Sequence, residues 1–151
     1  MKMNKGIIID YIMLLLLFPL MLKPLFGLAA HELMGLCFLI FVAMHCLNHK
    51  RWAKNIWQAV QKKSLSPLKI ASIIINGLLV AAVLLVAASG IMISIVVFGF
   101  LDIPYHEVFY RIHTAAAQAI LLLSLVHLGM HMKMIIAFLR NKKRERRIKS
   151  R

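Results

Sequence analysis

Long apolar blocks separated by short charged stretches set the pattern of this chain. The first, GIIIDYIMLLLLFPLMLKPLF, covers residues 6–26, and the others cover about 28–48, 68–98 and 111–139. Each can supply the about 20 apolar residues that an α-helix needs to cross a bilayer. Strands of a membrane barrel would instead show alternating segments of about ten residues. The pattern therefore predicts an all-α fold, an integral membrane four-helix bundle.

The stretches between the blocks carry their own signals. Trp52, Ala53, Ile56, Trp57 and Val60 recur at helical spacing with lysines opposite. This predicts an amphipathic helix within the linker 50–66, lying in the membrane interface. Ser66-Pro67 is a start signal for the third span. The loop GFLDIPYHEVFYR holds Phe100, Tyr105, Phe109 and Tyr110, which suit an interfacial aromatic belt.

Composition agrees with the pattern. The 151 residues are 62% hydrophobic, well above the roughly 45–50% of soluble domains, and are expected to form one transmembrane domain over 1–151. Charge then orients it. Four spans put both termini and the linker on one side. That side carries Lys2, Lys5, six basic residues from Lys50 to Lys69 and nine from Lys133 to Arg151, against Lys23 and Arg111 opposite. The positive-inside rule predicts a multi-pass protein of the plasma (inner) membrane with both termini cytoplasmic. The net charge of +14 reads as a topology signal with contact to anionic membrane lipid, and the basic tail 140–151 is not read as binding nucleic acid. The first block is longer than the apolar region of a signal peptide, so a retained first helix is expected. Cys37 and Cys46 are nine residues apart on one predicted helix, about 13 Å at 1.5 Å per residue, too far for a disulfide. They read as small buried hydrophobes.

Histidine supplies the candidate chemistry. His31, His45 and His49 lie in the second block, and adding 82 to each number gives His113, His127 and His131 in the fourth. Four spans make those two helices parallel. His31 and His113 then face each other near the outer surface, and His45 and His127 form a deeper pair about 21 Å away. Zinc or non-haem iron would usually want three or four ligands at each level. Two imidazoles at each of two levels suit two bis-histidine haems b, with His31, His113, His45 and His127 as iron ligands. His49 and His131 lie one turn below the inner pair, too close for a third haem, so either they or His45 and His127 hold the inner one; His49 adjoins Lys50 and Arg51 at the aqueous interface, which favours His45 and His127. They are candidates for propionate contact, for a quinone site, or for simple exposure to solvent. Arg111 is a propionate candidate outside, and Lys50, Arg51 and Lys133 inside. Gly35 and Ala117, each four residues after an outer histidine, leave room for a macrocycle, and Gly77 and Gly90 could let macrocycles pack against the third helix.

The run His31-Glu32, Gly35, His45, Asn48, Trp52, with Ser89-Gly90 in the third block, resembles the flavinylation-associated cytochrome family of small di-haem membrane proteins. The resemblance covers the second to fourth blocks. It implies a cytochrome b-like bundle that carries electrons between a donor, with quinol as a candidate, and an extracytoplasmic flavin-bearing redox partner. The chain then reads as the electron-transfer subunit of a membrane oxidoreductase. A first helix without a mid-membrane glycine and Met132 after His131 depart from the pattern. The rival reading is a histidine-lined metal-ion or proton transport protein without haem, which Asp10 in the first block favours. A third is a structural anchor for a peripheral complex.

Overall fold

The computed structural model describes residues 5–62 and 65–149. Its elements are α1 (Lys5–Met21), α2 (Lys23–Asn48), α3 (Lys50–Gln61), α4 (Pro67–Met92), a single 3-10 turn (Gly99–Leu101) and α5 (Glu107–Lys149). The protein is all-helical, with no strand among the described residues. Three helices there are long and apolar enough to cross a membrane: Leu25–Asn48, Pro67–Met92 and Glu107–Met132. Helix α1 is a shorter apolar helix.

Local sequence explains most boundaries. Ser66 is extended at the N-cap and Pro67 opens α4, where its missing N–H costs nothing. At Gly27 the backbone turns to φ 77°, ψ 170°, a region that residues with a Cβ rarely occupy. This break separates a short turn after α1 from the straight part of α2 and reverses the chain. The linker forms α3, an amphipathic helix whose Trp52, Ala53, Ile56, Trp57 and Val60 line one apolar groove with α4, as its spacing predicts.

Two boundaries differ from the sequence expectation. The third helix stops at Met92 instead of continuing to 98, because residues 94–97 bond to the side chain of Glu32. The last helix starts earlier and ends later than 111–139, running 43 residues from Glu107 into the basic tail. That is about 65 Å at 1.5 Å per residue, roughly twice the hydrocarbon thickness.

Helix α1 packs along α2 and α4 along α5, while α2 and α4 touch only sparsely. The two antiparallel hairpins share one buried cluster of Leu17, Phe38, Ala82 and Ile120, one residue from each of α1, α2, α4 and α5. Apolar side chains such as Phe18, Leu84 and Leu122 face outward. In water that surface would be costly at about 25 cal/mol per Å²; in lipid it matches its surroundings. Cys37 and Cys46 also lie exposed on α2, which corrects the expectation of burial. Apolar character on a membrane helix serves the lipid-facing side as well as the core.

Candidate cofactor site: two histidine tiers

The helices bring the six repeated histidines together in two groups. At one end of the bundle, expected from the charge pattern to be the outer one, His31 of α2 and His113 of α5 have ring centroids 6.1 Å apart with planes at 69°. At the other end, the rings of His45 and His49 lie tilted 4.5 Å apart and those of His127 and His131 edge-on 4.7 Å apart. His127 lies within electrostatic range of His131, His45, Asp10 and His49. Helices α2 and α5 therefore run parallel, and the ring contact of His31 with His113 follows the 82-residue offset.

The outer tier is built around a close approach. His113 Nδ1 lies 3.1 Å from the Val86 carbonyl oxygen of α4 and 3.4 Å from Ser89 Oγ. A carbonyl only accepts, so Nδ1–H is the donor in that bond. Ser89 is 3% exposed and donates its own hydroxyl to the Leu85 carbonyl. Gly90 makes the approach sterically possible. A Cβ there would stand 3.2 Å from His113 Cε1 and 3.4 Å from Nδ1. The neighbour of Gly90 is thus the imidazole. A Cβ at Gly35 would lie 3.9 Å from Leu20 Cδ2 of α1, an ordinary contact, and one at Gly77 would meet nothing within 4 Å.

Glu32, next to His31, ties the outer end together. Its carboxylate accepts from Ser94 Oγ at 2.6 Å and from the backbone N–H groups of Ile95 (3.0 Å), Val96 (3.1 Å) and Val97 (2.8 Å). This bridge joins α2 to the connection between α4 and α5, where helix-to-helix contact is otherwise sparse. Arg111 pairs with Glu107 one turn earlier, its Nη2 2.7 Å from Oε1, and both side chains are exposed.

The inner tier contains a carboxylate. Asp10 Oδ1 of α1 lies 2.6 Å from His45 Nδ1. Ligand atoms of Asp10, His45 and His49 all fall within 4.8 Å of one another. His49 is exposed at the junction of α2 and α3. Desolvation of its ring by its neighbours, with the adjacent His45, lowers its pKa below the ordinary histidine value, so a neutral imidazole is favoured at pH 7.

The donor chemistry of the His31–His113 pair suits a metal held by two imidazoles. A metal–imidazole bond of about 2.0 Å, with about 1.1 Å from nitrogen to ring centre, sets two rings ligating one iron from opposite sides about 6 Å apart. The outer pair is at that spacing. His113 and His45 both direct Nδ1 to an acceptor, as metal-bound imidazoles do with the ring nitrogen that does not ligate. Asp10 and Glu32 carry more of this architecture than their sequence signals suggested. Each stood out as a lone acid in an apolar block, but their partners lie 35 and more than 60 residues away.

In comparisons with known proteins, no protein-family model, no curated protein and no solved structure matches this chain.

Proposed function

We propose that the protein is a cytochrome b-like four-helix membrane subunit holding two bis-histidine haems b, His31 with His113 and His45 with His127. The 6.1 Å spacing of the outer imidazoles is the observation that carries this reading. A bound haem supplies one-electron oxidation and reduction at an iron whose six positions are all filled. The chain's own residues do the rest. Val86 and Asp10 orient the imidazoles from behind, Gly90 admits the His113 ring, and Glu32 keeps the hairpins in register. The core of Leu17, Phe38, Ala82 and Ile120 fills the level between the tiers with apolar side chains.

In this reading α1 is the fourth crossing, both termini lie in the cytoplasm and the membrane is the plasma membrane. The 17-to-2 division of basic residues supports that orientation. The resemblance to flavinylation-associated cytochromes points to an extracytoplasmic flavin-bearing partner, with quinol as a candidate donor. Oxidised and dithionite-reduced absorption spectra of the purified protein, with a haem-to-protein ratio, test the reading. Two b-type haems per chain are expected; a chain that stays colourless after haem reconstitution overturns it.

The grouping of Asp10, His45 and His49 favours a second reading, a transition-metal or proton site at the inner end. It predicts a colourless protein that binds zinc with an affinity lowered by Asp10→Ala.

A further inference from the structure

We infer that Asp10 is a positioning residue that makes the two histidine tiers electronically unequal. The inference rests on the haem reading above and deepens it.

The geometry sets up a comparison inside one molecule. Each tier has a histidine whose Nδ1 meets an acceptor. For His113 that acceptor is the main-chain carbonyl of Val86, at 3.1 Å. For His45 it is the side chain of Asp10, at 2.6 Å. Helix α1 runs antiparallel to α2, with Leu20 level with Gly35 and Leu17 level with Phe38. Continuing that register brings Asp10 level with His45, with His49 one turn further on and its ligand atom within 4.8 Å. The hydrogen bond is short, as expected when one partner is ionised.

The consequences follow from charge. A carboxylate behind an imidazole pulls on the Nδ1 proton and raises electron donation at Nε2. Donation and the nearby negative charge both stabilise ferric over ferrous iron. A neutral carbonyl does this far less. The Asp10 carboxylate therefore holds the inner iron at a lower potential than the same ligands would give with a neutral partner. That bias favours electron movement from the inner tier to the outer one. His49, His127 and His131 are the other titratable groups grouped with this pair, and they are the same in the variants below.

The test uses the full chain with haem bound. Potentials of wild type and Asp10→Asn are measured by spectroscopic redox titration, with the low-spin EPR signal of each haem recorded alongside. His113→Ala, which removes an outer ligand, assigns the remaining signal to the inner tier. Asp10→Asn keeps an acceptor oxygen and removes the charge. We expect one potential to rise by about tenfold in the reduction equilibrium, about 59 mV for one electron, with a changed EPR signal at that haem alone. Asp10→Glu should stay near wild type. Two haems with unmoved potentials, or equal movement of both, overturn the inference and leave the haem reading standing. A wild-type protein that takes up no haem overturns both. If Asp10→Asn loses the inner haem, Asp10→Glu decides: recovery of two haems at near wild-type potential supports the role of the carboxylate, and continued loss overturns it.

Discussion

Phe38 of α2 and Ile120 of α5 belong to one buried cluster midway between the histidine tiers. Each lies seven residues beyond an outer histidine and seven before an inner one, about 10 Å either way. The buried apolar cluster among the described residues thus occupies the level that separates the two sites. Phe38→Ala should leave a cavity there. The expected loss is about 3–5 kcal/mol of stability, read as earlier thermal unfolding in detergent, with all four ligands still present. Unchanged unfolding would show that this layer does not carry the fold.

The two tiers should lose cofactor separately. His31→Ala or His113→Ala is expected to halve the haem-to-protein ratio, and the remaining haem should keep its wild-type spectrum. The inner residues lie about 21 Å away along the helices, beyond direct contact. Two retained haems at full occupancy would remove His31 and His113 from the ligand set.

Gly90 offers a graded probe of the outer tier. With Ala, the His113 ring must yield by a few tenths of an ångström, since the added Cβ would stand 3.2 Å from Cε1. A leucine leaves no such accommodation. Outer haem occupancy should therefore fall slightly for Gly90→Ala and be lost for Gly90→Leu, with the inner haem spared. Equal loss from both tiers would mean that the damage is to folding in general.

Glu32→Ala should loosen the junction of the hairpins. It removes the acceptor for Ser94 and for three consecutive backbone N–H groups. Truncating a charged acceptor and leaving donors unpaired costs about 1–3 kcal/mol. Hydrogen exchange at residues 95–97 should accelerate, and the outer haem should dissociate faster than in wild type. Glu32→Gln should recover part of the loss. Exchange rates equal to wild type would sink the bridging role.

The sequence carried the broad architecture because lipid imposes it. Apolar length marks α2, α4 and the first part of α5, and the spacing of Trp52, Ile56, Trp57 and Val60 marks α3. The histidine pairing was legible because parallel helices convert equal spacing into equal depth. Residues 94–98 were not legible as a loop. Ile95, Val96 and Val97 are apolar, and only the distant Glu32 draws their amides out of the helix. Asp10 was visible as an anomaly in an apolar block, yet its partner depended on how α1 folds against α2. Gly90 was singled out as room for a macrocycle, whereas its nearest atoms belong to His113. In each case a long-range contact supplied what local pattern lacks.

His113 takes its orientation from a main-chain carbonyl and His45 from a carboxylate. The difference has a hereditary side. A single codon change deletes Asp10, but no codon change deletes the carbonyl of Val86. Drift and selection can retune the inner histidine in one mutational step, whereas the outer one changes only if α4 itself shifts. Across descendants of this chain, the outer tier should stay fixed in character and the inner tier should be the one that diversifies.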